Sequence, residues 1–231
     1  PKEEVYAQNE LDLQNAIASL PDSQSQVGRV NKYTAYALLG KVLLYQDKFA
    51  EAASALDNVI GVYSLVSDYG SQFLRFGENG PESVFEIQYS NQSNWYDWGC
   101  AHCSEGNYAI IMNGPRGWSG PEYAQGWSFN VPTAEFYNSF EEGDTRRDAT
   151  ILDIEAFAAA TGANYTEGYD HTGYFNNKYI PRAGESGGQT ELNYLTNFRI
   201  IRYSDVLLMA AEAYNRGCLL YTSPSPRDKR L

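Results

Sequence analysis

The stretch NQSNWYDWGC, residues 91–100, sets Trp95, Tyr96 and Trp98 beside Asn94 and Asp97. That mixture suits a sugar. A pyranose offers a flat face of C–H bonds to an aromatic ring, and its hydroxyl rim takes hydrogen bonds from amides, carboxylates and guanidinium groups. A second stretch, MNGPRGWSG, adds Asn113, Arg116 and Trp118. The competing role for each ring is that of a packed loop anchor. The eight residues Asn94, Trp95, Tyr96, Asp97, Trp98, Asn113, Arg116 and Trp118 are the candidate ligand-binding set.

Other chemistry is harder to support. Cys100 and Cys103 form CAHC, a spacing shared by redox pairs, half zinc sites and local disulfides. No second C-x-x-C accompanies it, and His171 stands alone. A loop disulfide or two inert thiols are the readings that need no further ligands. Glu82, Glu86, Asp97, Glu105 and Glu122 are the carboxylates that a glycosidase would draw on. Such an enzyme needs two of them roughly 5 to 9.5 Å apart, which spacing in sequence does not supply. No Ser–His–Asp order, phosphate loop or metal motif is present, so no catalytic residue, metal or cofactor is expected.

Composition narrows the class. The net charge of −12 argues against nucleic acid, whose phosphates need a basic patch. Tyr, Trp and Phe make up 14% of the chain, and many stand beside Asn, Gly and Gln rather than in apolar runs. No apolar run reaches the roughly 18 residues of a membrane helix. The opening PKEEVYAQNE has neither a basic nor an apolar leader segment, so it reads as a mature chain or an internal fragment.

The elements that must position these residues follow from periodicity. NELDLQNAIASLP reads as a helix with Asn9 as its cap. The clearest signal is the run from Asn31 to Leu65. Tyr33, Tyr36, Leu39, Gly40, Leu43 and Leu44 share one helical face; Phe49, Ala52, Ala53, Leu56, Val59 and Ile60 share another. Only Gln46, Asp47 and Lys48 separate them, which makes an antiparallel helix pair of tetratricopeptide character. SVFEIQYS alternates like a strand. Residues 91–130 are too long and too rich in Gly, Asn and Trp for a connector, and read as functional loops on a scaffold. NVPTAEFYNSFEEGD is a short helix. Leu207, Ala210, Ala211 and Tyr214 repeat the first-helix pattern, and the closing CLLYTSPSPRDKRL has no periodicity with which to cover that helix.

In their order, DLQNAIASLP, GRVNKYTAYALLGKVLLYQDKFAEA, PESVFEIQYS, GWSFNVPTAEFYNSFEEGDTRRDATIL, NNKY and RIIRYSDVLLMAAEAYNRG resemble the SusD/RagB family of outer-membrane nutrient-binding lipoproteins, over nearly all of residues 10–217. The resemblance implies a mainly α fold, with tetratricopeptide-like helix pairs and a large insertion of loops and short strands. It implies four segments: a helical part over 1–66, a loop-rich ligand-binding part over 67–198, a helix of an incomplete second pair over 199–217, and a foreign, adaptor-like tail over 218–231. It also makes Trp127 a framework residue and GDTRRDAT an ion-paired helix cap; Tyr123 stays undecided. The function implied is capture of oligosaccharide, or peptide, at the cell surface by a lipid-anchored outer-membrane protein, without catalysis. The partner would be a TonB-dependent transporter of the SusC type. The alternatives are a tetratricopeptide scaffold for peptides and a glycoside hydrolase.

Overall fold

Acidic Glu3 and Glu4 sit where the positive end of a helix dipole favours them, and the chain enters a helix at once. The computed structural model describes residues 1–92, 98–187 and 192–218. α1 runs Lys2–Ser19, so it starts well before the Asn9 cap expected from apolar spacing. α2 (Lys32–Leu44) and α3 (Phe49–Asp57) form the expected pair. Then come β1 (Ser83–Ile87), α4 (Ala109–Met112), β2 (Arg116–Ser119), α5 (Ala134–Asn138), α6 (Arg146–Thr150) and β3 (Ile151–Asp153). α7 (Ile154–Thr161), β4 (Asn164–Thr166), β5 (Tyr174–Asn176), β6 (Phe198–Arg202) and α8 (Tyr203–Arg216) complete the order. The short strands pair only in twos, β1 with β6, β2 with β4 and β3 with β5. The fold is mainly α and tetratricopeptide-like, as expected.

The described chain forms two compact units. The first comprises Pro1–Leu65, Asn79–Glu86 and the chain from Arg199 on; the second comprises Val66–Glu78 and Ile87–Phe198.

In the first unit, Asn31 caps α2 by accepting the Thr34 amide at 2.9 Å. Leu39, Leu43 and Leu44 of α2 bury against Ala52, Ala53 and Ala55 of α3. Gly40 lets the helices meet: a Cβ there would lie 2.4 Å from Leu56 Cγ, and Leu56 is fully buried. Glu10 of α1 accepts from Lys48 at 2.6 Å and Gln46 at 2.7 Å, which ties α1 to the turn of the pair. The Lys48 contact is the main reason the Glu10 carboxyl titrates below its ordinary range.

One side of the apolar stripe of α8 is covered by the earlier pair. Val206, Ala210 and Ala213 are buried against α2 and α3, and the Tyr214 hydroxyl donates to Asp57 at 2.6 Å. The outward residues are Ala211 and Leu208, the latter 70% exposed. The foreign tail expected over 218–231 lies, beyond Cys218, outside the described residues.

The buried face of β1 includes a carboxylate. Val84 and Glu86 are buried while Ile87 faces out. The reason is a buried ion pair with β6: Arg199 Nε lies 3.6 Å from Glu86 Oε1. Next to it, Arg202 Nη1 lies 3.3 Å from Glu82 Oε1, and the Tyr203 amide donates to the Glu82 carbonyl. Two of the carboxylates that a hydrolase reading would use are thus engaged by arginines.

In the second unit β3 pairs antiparallel with β5, with Leu152 opposite Phe175, and β2 pairs antiparallel with β4 through an irregular register. α7 was not expected from apolar spacing, yet its signals are local. Asp153 accepts the Ala156 amide at 2.9 Å, and Gly162 ends the helix at φ +73°. α5 is shorter than expected, with Thr133 as its cap. The GDTRRDAT cluster forms the expected ion pairs. Arg146 donates to Asp144 from Nε at 2.9 Å, and this contact holds the Asp144 carboxyl down at about 2.

Candidate functional site

Trp98 opens a 3-10 segment, Trp98–Cys103, closed on itself by a disulfide between Cys100 and Cys103. The bridge consumes both thiols and removes the zinc and free-thiol readings of CAHC. The Trp98 ring is 42% exposed. Its neighbours are Trp127, with centroids 5.4 Å apart, and Tyr108, which meets it edge-on at 5.9 Å.

Trp127 and Phe129 are placed by backbone. The segment 126–129 lies along 111–115, with amides of Gly126, Trp127, Ser128 and Phe129 donating to carbonyls of Pro115, Ile111, Gly114 and Met112 at 2.8–2.9 Å. Gly126 is required there, because a Cβ would fall on the Asn113 carbonyl oxygen. Trp127 packs inward on Ile110 and Ile111 and outward on Trp98. Phe129 is 51% exposed, edge-on to Trp127 at 6.3 Å. Arg116 fastens this corner. Its Nε donates to the Trp127 carbonyl at 2.7 Å, and its guanidinium lies 5.6 Å from the Phe129 ring centroid. The result is a patch of four rings, three of them exposed, with one fixed guanidinium at the rim.

Phe129 also walls a cavity of about 390 Å³ beside the patch, lined by Asn113, Asn130, Asn176, Tyr179 and Phe198 among others. Asparagine amides around apolar rings are the composition of a pocket that orients a polar ligand. Asn113 braces this pocket. It is buried, and its amide donates to the carbonyls of Ala109 and Tyr179. Burial raises the Tyr89 phenol above its ordinary value, with a smaller push from Tyr108 nearby.

Of the expected set, then, Trp98 and Arg116 meet on one patch and Asn113 lies in the wall of the adjoining cavity. Trp118 goes elsewhere. Gly117 at φ +60° turns the strand between Arg116 and Trp118, and Trp118 packs on Tyr123 and Phe157, both at 5.9 Å. Tyr123 is buried in the same cluster. Asn94, Trp95, Tyr96 and Asp97 lie outside the described residues. Among the described residues no group of three His, Cys, Asp or Glu side chains could hold a metal ion.

A sequence profile of the SusD family matches residues 81–217. The chain belongs to the SusD family. It is 30% identical to SusD-like protein P2 of Formosa agariphila over 229 residues, covering 93% of this chain and 43% of that protein. Two solved SusD-type structures are close in fold. A laminarin-binding SusD-like protein superposes with a TM-score of 0.84 at 40% identity, over 91% of this chain and 50% of its own. Surface glycan-binding protein A of Bacteroides thetaiotaomicron, solved with laminarihexaose, gives 0.85 at 31% identity, over 93% of this chain and 50% of its own. The chain spans about half the length of these relatives or less.

Tyr108 and Phe129 were not singled out in this SusD-family chain from sequence. Each is a lone ring among polar neighbours, with no local mark that it joins Trp98. Trp127 was assigned to the framework, and the geometry gives it a second face on the patch. The one sequence-level signal was the excess of aromatics beside Gly and Asn.

Proposed function

We propose that the chain captures a neutral oligosaccharide of the laminarin type on the patch of Trp98, Tyr108, Trp127, Phe129 and Arg116. The observation that carries this reading is an exposed aromatic patch with a fixed guanidinium, in a chain 40% identical to a laminarin-binding SusD-like protein. Sugar rings stack on Trp98 and Phe129, and Arg116 donates to hydroxyls from its terminal nitrogens. Asn94, Trp95, Tyr96 and Asp97, which precede Trp98 in the chain, are proposed to contribute to the same site. Trp118 drops out of the proposed site, and Asn113 acts by shaping the adjoining cavity.

The protein holds its ligand without cleaving it. Glu82 and Glu86, engaged by Arg202 and Arg199, are not a free acid–base pair. In the cell it acts at the surface of the outer membrane, lipid-anchored, and delivers glycan to a TonB-dependent transporter of the SusC type. The disulfide fits an oxidising location of this kind.

The test is calorimetric titration with laminarihexaose, cellohexaose and maltohexaose, followed by chromatography of the recovered sugar. Laminarihexaose is expected to bind at micromolar to millimolar Kd, roughly 4 to 8 kcal/mol, and to be recovered intact. Absence of binding to all three overturns the glycan reading, and shortened products overturn the non-enzymatic one.

A further inference from the structure

A second cleft lies in the same unit. It measures about 460 Å³, and its walls include Tyr69, Phe136, Phe140, Asp144, Arg146 and Lys178. Phe136 is 46% exposed and packs on Phe140 at 5.4 Å, which leaves apolar ring surface open to solvent. On the facing side the Lys178 ammonium stands 5.3 Å from the Tyr69 ring centroid and 4.7 Å from that of Phe73. It makes no ion pair among the described residues, so its three N–H donors are available to a ligand. Asp144, in the same lining, is held ionised down to about pH 2 by its pairing with Arg146. Exposed ring surface beside a donor cation is what this hollow shares with the Trp98 patch. The charged lining balances, Glu141 and Asp144 against Arg146 and Lys178, which suits a neutral ligand.

The two places are held at fixed spacing. Tyr69 packs edge-on against Phe73 at 5.4 Å, Phe73 on Tyr179 at 6.2 Å, and Tyr179 on Phe198 at 5.1 Å. Tyr179 and Phe198 wall the cavity that Phe129 shares with the Trp98 patch. A packed series of rings thus runs inside this unit from one site to the other. For a polymer, two subsites on one unit convert the second contact into an intramolecular one.

We infer that the cleft of Tyr69, Phe136 and Lys178 is a second saccharide subsite, and that it engages the same polysaccharide as the Trp98 patch. The inference rests on the glycan reading above. It makes affinity depend on chain length. A short oligosaccharide reaches the Trp98 patch alone; a long one gains avidity, which for linked sites reaches about 10² to 10⁴.

The experiment compares laminaritriose with polymeric laminarin on the chain and on two variants, Phe136→Ala and Lys178→Met, each checked for an unchanged circular dichroism spectrum. Both variants are expected to lose about tenfold or more in affinity for laminarin and to hold laminaritriose within about twofold of the parent. Parental affinity for laminarin in both variants overturns the second subsite and leaves the Trp98 site standing. An equal loss for trimer and polymer also overturns it, because the cleft would then act through the fold. If the parent binds neither sugar while folded, the glycan reading itself fails.

Discussion

Trp98→Ala is expected to weaken laminarihexaose binding by about five- to 150-fold, the range that corresponds to roughly 1 to 3 kcal/mol. The ring is half-exposed. It is 42% open to solvent and packs on Trp127 and on the edge of Tyr108, so its exposed part is apolar surface held by two other rings. Removing a ring of this kind forfeits burial of its apolar face on binding and the aromatic contacts that hold it in place. It disturbs little else, because Ile110, Ile111 and Tyr194 keep the core beneath Trp127. Trp98→Phe should recover part of the loss. Calorimetry on the two variants, with melting curves beside it, checks the claim. Unchanged affinity in Trp98→Ala would move the site elsewhere.

The second large effect concerns stability. Glu86→Ala and Arg199→Ala should each cost about 3 to 5 kcal/mol, because each leaves a buried charge without its partner. Their side chains are only 1% and 3% exposed, and Nε stands 3.6 Å from Oε1. Glu86 also accepts the Asn79 amide at 3.1 Å, so its loss strands a backbone donor too. The double replacement Glu86→Leu with Arg199→Met should recover much of the loss, since apolar groups of similar volume need no counter-charge. Urea unfolding of the four proteins measures this as shifts of midpoint at constant slope. Single variants as stable as the parent would mean that solvent reaches the pair and that it does not order β1 on β6.

The same pair shows where sequence reading succeeds and stops. The α2–α3 helix pair was legible because its contacts are local: leucines and alanines at helical spacing, and Gly40 where the helices close on Leu56. β1 was legible as a strand but not in its facing. Alternation sets Phe85 and Ile87 on one face and Glu86 on the other without saying which is buried, and Arg199, more than a hundred residues away, pairs with Glu86 on the buried side. The packing of α8 on α2 and α3 was not legible for a related reason: its apolar residues show a helical face but not which distant helices it meets. For the aromatic patch, local composition singled out Trp98 and Arg116, which the fold sets on one surface. It could not find Tyr108 or Phe129, which reach the patch through backbone pairing of 126–129 with 111–115. Nor could it place Trp118, whose direction turns on the backbone angle at Gly117.

The most direct test of the account is a crystal structure of the chain grown with laminarihexaose. Glucose rings are expected to stack on Trp98 and Phe129, with hydroxyls within hydrogen-bond reach of Arg116. Sugar bound with the Trp98 patch left bare would contradict it.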